Sequence, residues 1–200
     1  MKTRICAVVL LVFAGLLLVG CDRFQESVSP IDQSQNQPGP LKKSIQRQFT
    51  GTVTPIEALG PGITKYPDGK MTMRGILQKV IWEVTFSDGG IDLVSGPGVL
   101  ELNTNTDPAA GEAFWWGKLT LMPSASEAQG GQYQLTWQGK ATIGPSAWLG
   151  GPGWTLDLQV RGHGEGGALD GIQCFVHLVV TAPPDLSTWA GVSEGYIKTH

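Results

Sequence analysis

From Gln48 onward, hydrophobic and polar residues change places at every second position, in short runs cut off by Gly, Pro, Asp and Ser. Successive side chains of a strand point to opposite faces, so this rhythm predicts half-buried β-strands and, repeated down the chain, an all-β sandwich or barrel. The first run is Gln48 to Thr54. A long loop bracketed by Pro55-Ile56 and Pro67-Asp68-Gly69 leads to Lys70 to Phe86, whose second half sets Val80, Trp82, Val84 and Phe86 against Glu83 and Thr85. Ser87-Asp88-Gly89-Gly90 reads as a hairpin-type turn into a short strand Ile91 to Val94, and Gly96-Pro97-Gly98 separates that strand from Val99 to Thr106. After the Asp107 to Gly111 turn, Ala113 to Met122 places Gly117, Leu119 and Leu121 on one face. Gln132 to Gly139 is the most regular run, with Tyr133, Leu135 and Trp137 opposite Gln134, Thr136 and Gln138. Trp154 to Arg161 and Gly171 to Val180 repeat the pattern and turn Leu156, Leu158 and Val160, then Cys174, Val176 and Leu178, to the same interior.

Together these runs make one continuous apolar set, each large member of which contributes about 1.5 to 3 kcal/mol when buried. The same alternation sends Glu83, Glu101, Lys118, Asp157, Arg161 and His177 outward, dispersing the groups that a catalytic centre would gather. Antiparallel hairpins in an open sandwich leave edges that closure removes, so the expected fold is all-β: a single antiparallel, calycin-like β-barrel of about eight strands after a signal peptide and a flexible linker.

The start of the chain follows another pattern. Met1-Lys2-Thr3-Arg4 is basic, and Ile5 to Val19 is apolar without a charge, ending at Gly20-Cys21 before Asp22-Arg23. The run is shorter than the roughly 18 residues a spanning helix needs, and has the layout of a secretory signal peptide over residues 1–20. Leu18-Val19-Gly20-Cys21 closely resembles the bacterial lipobox. That resemblance implies cleavage before Cys21, a diacylglycerol on its sulfur and acylation, for instance by palmitate, of the new amine. Several acyl chains at about 0.8 kcal/mol per methylene would anchor the protein on the extracytoplasmic side of the cell membrane, inner or outer in a Gram-negative envelope. Asp22 resembles the inner-membrane retention signal of enteric lipoproteins and equally suits the start of a polar linker. Residues 21–47, rich in Ser, Gln, Asn and Pro, read as the lipidated cysteine and a disordered tether, with Lys42, Lys43 and Arg47 as its basic cluster. The barrel domain is then 48–182, and 183–200, after Pro183-Pro184, is a C-terminal tail without assigned structure.

Composition narrows the classes. Gly 28 and Pro 13 in 200 residues speak against long helices, and 41% hydrophobic content against disorder. A net charge of -3 supplies no basic field for a phosphate backbone, so nucleic acid is not an expected partner. Of the three cysteines, Cys6 leaves with the leader and Cys21 carries lipid, so Cys174 has no partner and the chain is not a disulfide scaffold.

Several motifs imitate known chemistry. Gly162, Gly164 and Gly167 have the spacing of a dinucleotide cradle, but an alternating strand follows where a phosphate site needs a helix, so they read as a glycine-rich hairpin and no cofactor is expected. His163, Glu165 and Asp170 have metal-ligand chemistry without diagnostic spacing and read as solvated loop charges, so no metal is expected. His177 reads as an outward residue, and Cys174 as a small buried hydrophobe. There is no Gly-x-Ser-x-Gly elbow, and no catalytic residue is assigned. Among seven tryptophans, Trp115, Trp116, Trp148 and Trp154 fall at strand ends or in Gly-Pro loops, where indoles fill barrel ends or rim a ligand opening. With Tyr133, the inward polar candidate, they form the candidate binding set. Gly144 to Gly153 is the candidate lid.

Leu93-Val94-Ser95-Gly96-Pro97-Gly98-Val99-Leu100-Glu101-Leu102, Trp116-Gly117-Lys118-Leu119 and the Gly162 to Gly171 segment together resemble secreted allene-oxide-cyclase-like and dirigent-like barrels. The resemblance implies an eight-stranded antiparallel barrel with an apolar cavity. It carries no active-site residue to this chain. The expected role is noncatalytic binding of an apolar small molecule or an envelope partner protein. One alternative is a cyclase- or isomerase-like enzyme, marked by an inward carboxylate, histidine or tyrosine in a cavity of about 300 Å³ or more. The other is a structural envelope lipoprotein with a filled core.

Overall fold

The computed structural model describes residues 44–199. The segments expected as signal peptide, lipidated Cys21 and tether as far as Lys43 lie outside the described residues. Nine strands follow in order: β1 (Ile45–Gly60), β2 (Ile63–Lys65), β3 (Met71–Phe86), β4 (Gly96–Asp107), β5 (Glu112–Leu121), β6 (Gln132–Trp148), β7 (Gly151–Glu165), β8 (Gln173–Ala182) and β9 (Ala190–Thr199). Each of β3 to β9 pairs antiparallel with its sequence neighbour, and β1 pairs with β9 on one side and β3 on the other. The result is a closed eight-stranded antiparallel barrel, with β2 added as a short flap on β3.

The predicted alternation holds along the ladder. Val80, Trp82, Leu119, Leu121, Tyr133, Leu135, Trp137, the even-numbered residues from Trp154 to Val160 on β7 and those from Cys174 to Val180 on β8 are buried, and Glu83, Lys118, Asp157 and Arg161 are exposed. The core draws on every barrel strand from Phe49 to Ile197, and Leu41–His200 form one compact unit. Residues 41–200 therefore carry their own core and their own edge-free sheet, which is what independent folding requires.

The two ends differ. At the end where β1 starts and β9 finishes, three connections fold inward and place Val94, Ala128 and Leu169 in the lumen as a plug. Leu169 sits on the backbones of Gly131 and Gly164, where any side chain would collide with it. Arg47 straps the same end: its Nε donates to Asp88 Oδ2 at 2.7 Å, its second N–H group reaches Oδ1 at 3.1 Å, and its guanidinium lies 4.2 Å over the Phe86 ring. This pairing holds the Asp88 carboxyl down at about 2. The opposite end is open.

Five expectations need correction. The long loop read between Pro55 and Gly69 is mostly strand, since β1 runs on to Gly60 and Ile63–Lys65 pairs with β3. Ile91 to Val94 is not a strand, because Asp92 Oδ1 accepts the N–H groups of Val94 and Ser95 at 2.9 and 2.8 Å and folds the segment into a local turn. Gly96-Pro97-Gly98 begins β4 rather than interrupting the chain. Residues 183–200 are not a featureless tail, since Ala190–Thr199 is β9, the strand that closes the barrel. The tether's last residues, Ile45 to Arg47, belong to β1. The last two segments are weakly apolar, and the ladder hydrogen bonds they gain from neighbours far along the chain leave no mark in local periodicity.

One glycine is fixed by packing. A Cβ at Gly117 would fall onto the Glu101 carbonyl oxygen and 2.7 Å from Trp137 Cζ2. Gly117→Ala is expected to cost about 3 kcal/mol, read as a lowered urea midpoint at unchanged slope, whereas Gly130→Ala, with nothing within 4 Å but a φ of +77°, costs about 1 kcal/mol.

Candidate functional site

The lumen of an eight-stranded barrel is just wide enough for its inward side chains to fill. Here they fill the plugged half and leave a cavity of about 420 Å³ beneath the open end. Trp82 and Leu119 line its deeper part. Leu156, Leu158, Leu178 and Val180 form one wall, which Trp137 and Trp115 continue on the neighbouring β6 and β5. Those two indoles stand diagonally on adjacent strands, each directly across from a glycine, since Trp115 pairs with Gly139 and Trp137 with Gly117. Without a side chain at Gly117, the Trp137 ring lies against the backbone there, and at Gly139 the space is taken by Leu158 Cδ2. The mouth is framed by Tyr66, beside β2, and by the connection from Pro183 to Trp189.

That connection is tied to the barrel at two points and braced within itself at a third. Trp189 Nε1 donates to Gln78 Oε1 at 2.9 Å, and Trp154 Nε1 donates to the Pro184 carbonyl at 3.3 Å. Asp185 Oδ1 accepts the backbone N–H and hydroxyl of Ser187 at 3.1 and 2.8 Å, bonds that also hold its carboxyl below the usual value. Leu186 adopts a left-handed φ of +56° and lines the cavity. A non-glycine residue in that region carries strain of about 1 to 2 kcal/mol.

Inside, Trp82 Nε1 on β3 donates to Ser193 Oγ on β9 at 3.1 Å, over the intervening β1. Trp115 Nε1 and Trp137 Nε1 are buried without any hydrogen-bond partner, and each unsatisfied donor costs about 1 to 3 kcal/mol.

The predicted binding set divides accordingly. Trp115 lines the cavity. Trp116, the next residue in the strand, necessarily faces outward: its ring stacks on Phe114 with centroids 5.7 Å apart and lies 4.7 Å under the Arg74 guanidinium. Tyr133 is fully buried at the plugged end, its hydroxyl has no partner, and burial pushes its phenol well above the usual value. Trp154 is buried beneath Pro184 and does not line the cavity, and Trp148 lies against Gly153 in the β6–β7 hairpin. Gly144 to Gly153 is mostly ladder with a turn at Leu149-Gly150, so the candidate lid is not a loop over the mouth. The cavity tryptophans that the candidate set lacks are Trp82, Trp137 and Trp189. Gly117, standing where the alternation demands bulk, was the sequence sign of a large neighbour at Trp137, but nothing local marked Trp189.

The ionisable groups lie elsewhere. On the outer wall His177 Nε2 is 3.0 Å from Asp157 Oδ1 and its Nδ1 is 3.4 Å from Glu194 Oε1, beside the stacked rings of Phe175 and Tyr196. His163 and Glu165 form an exposed pair at 3.3 Å. Among the described residues no three His, Cys, Asp or Glu converge as a metal site needs. Cys174 is buried, and burial pushes its thiol up to about 12. Gly167 to Leu169, after the glycine run, is a single 3₁₀ turn in the plug.

In comparisons with protein-family models, curated proteins and solved structures, nothing matches this chain.

Hydrogen bonding to Asp157, and secondarily to Glu194, raises the His177 pKa above 6.5. The charged imidazole is favoured in the fold, so its stabilisation is present below the unfolded-state value and is lost as pH rises through the folded-state value. For so exposed a pair it stays under about 1 kcal/mol. An NMR titration of the His177 ring is expected to give a midpoint above 6.5 that falls in Asp157→Asn.

Proposed function

We propose that this protein is a noncatalytic binding module for an apolar small molecule, held on the extracytoplasmic side of a cell membrane by lipid on Cys21. The observation that carries the binding half is the cavity: about 420 Å³, open at one end, and walled by hydrocarbon and indole. Its volume falls within the range of small-molecule sites, roughly 300 to 1,000 Å³. Exposed Ile56, Leu59, Ile63 and Tyr66 lie on the strands and flap at the open end, giving a poorly soluble molecule an apolar approach. The titratable side chains at the cavity are Tyr66 and Asp185, both at its mouth, and Asp185 is already committed to Ser187. This favours holding a molecule over transforming it. A hollow lumen also speaks against a barrel filled for structural duty. The membrane half rests on the basic start, the apolar run and the lipobox-like Leu18-Val19-Gly20-Cys21.

N-phenylnaphthylamine, a neutral dye that brightens in apolar surroundings, is expected to bind residues 41–200 and to lose its enhancement in Leu100→Trp, which fills the lumen from a half-buried wall position. Undiminished binding by that variant would place the dye elsewhere. In cell fractionation of the full chain, Cys21→Ala is expected to move the protein from the membrane to the soluble fraction.

A further inference from the structure

The geometry points to a lipid bilayer as the partner of the barrel's open end: the β6–β7 hairpin on one side of the mouth and the β1–β2 corner on the other dip into the bilayer surface, and the cavity faces the membrane. This rests on lipid at Cys21, from the reading above, only to put the barrel beside a membrane. β6 last pairs with β5 at Thr142 and Glu112, and β7 with β8 at Trp154 and Ala182, so residues 143–153 run past both neighbouring strands. The projecting hairpin carries no charge, since no side chain between Lys140 and Asp157 ionises. Its turn holds Leu149, which is 90% exposed, more than any other large apolar side chain among the described residues, and has a φ of +49°. Turns that need this conformation ordinarily take Gly, Asn or Asp, so a leucine here suits neither the backbone nor water. Ile143 is exposed at the hairpin's base and half-buried Trp148 stands beside Leu149, an indole being at home where hydrocarbon meets water. Pro145 and Pro152 lack the N–H groups that an added strand would need, which disfavours a protein edge as the occupant.

The second contact lies across the mouth. In the closed order of strands β6 stands four places from β1, and β7 four places from β3, which carries β2. Ile56 and Leu59 near the end of β1, and Ile63 and Tyr66 at the flap, are all exposed, so the rim is apolar on opposite sides. At the plugged end each of the three connections carries a carboxylate, Asp88, Glu127 and Asp170 in turn, so a long charge-free projection belongs to the open end alone. On the rest of the open rim Lys70 is taken by Asp107 at 3.1 Å, which leaves Glu57, Asp68, Glu112 and Asp185 against Lys65. That excess of carboxylates suits zwitterionic rather than anionic phospholipid. The chain permits this orientation although β1 begins at the plugged end. β6 and β7 are 17 and 15 residues long, about 50 Å of strand, while the 22 residues from Asp22 to Lys43 span at most about 70 Å. A mouth against the bilayer lets an apolar molecule pass between lipid and lumen without crossing water.

The test uses residues 41–200, which lack Cys21, so that only the barrel brings the protein to lipid. Cys174 is then the single native cysteine and is buried, so a nitrobenzoxadiazole label can be directed to Leu149→Cys or, at the plugged end, to Ile91→Cys. With phosphatidylcholine vesicles the label at position 149 is expected to brighten, shift to the blue and be quenched by nitroxide-bearing lipid, while the label at 91 stays as in buffer. In the unlabelled protein Leu149→Asp is expected to weaken vesicle association about tenfold. Its circular-dichroism spectrum is expected to be unchanged, since the side chain is in water in the free barrel and Asp tolerates the left-handed turn. Replacing one third of the lipid with phosphatidylglycerol is expected to weaken association further. A label at 149 that ignores vesicles, or equal brightening at both positions, would overturn the lipid contact. So would brightening at 149 with rising protein concentration and no lipid, which would make a second copy the occupant. Tighter association with the anionic vesicles would overturn the zwitterionic surface. Dye binding in the lumen and fractionation of Cys21→Ala are read separately, so the docking and the binding readings fail independently.

Discussion

Everything in this molecule depends on β1 being paired along both edges. From Phe49 to Val53 its backbone is laddered to β9 on one side and to β3 on the other, so the sheet has no free edge among its eight principal strands. In a closed sheet a two-residue alternation separates a lumen from an outer wall without a second sheet to cover the apolar face. Closure therefore turns a string of amphipathic strands into a hydrocarbon lumen with its carboxylates and cations in water, and it does so with a pairing that joins Ile45 to Thr199.

Within that constraint the two halves of the lumen are packed differently. At the plugged end Val94, Ala128, Leu169 and Tyr133 pack to full burial, and glycines at positions 131 and 164 let Leu169 come down onto backbone. Toward the open end glycines serve another purpose: Gly117 makes room for the Trp137 ring and Gly139 for the Leu158 side chain, and the cavity lies beside both residues. The bulge in β3 at Arg74-Gly75, with the Gly75 N–H donated to Asn103 Oδ1 at 3.0 Å, bends the wall beside the mouth.

The barrel was legible because its signal is periodic: Tyr133 to Trp137 and Trp154 to Val160 announce their faces without help from distant residues. The closing strand was not, since Ala190–Thr199 mixes Gly, Ser, Glu and Lys with few large apolar residues and is held by partners some 150 positions away along the chain. Asp92 defeated the reading of Ile91 to Val94 in the reverse way, through a side-chain hydrogen bond that competes with the ladder. The cavity was half legible. Parity alone separates Trp115 from Trp116, and it assigns Trp137 and Trp82 to the interior, but whether an inward ring is packed or borders a void depends on all eight strands at once. Trp148 and Trp154 illustrate the limit: both belong to the open half of the barrel, and both are taken up by local contacts with Gly153 and Pro184.

Ile45 and Thr199 face each other across one ladder. The described chain thus returns to its own starting point, and its strands form a ring in which every seam except β1–β3 and β1–β9 is a sequential hairpin. A short bridge across that last rung would let the polypeptide be reopened at any surface turn, such as Leu149-Gly150, with every strand keeping its neighbours. The order in which this barrel is written is then separable from the shape it encodes, and circularly permuted forms could carry new termini around the mouth while the lumen stays the same.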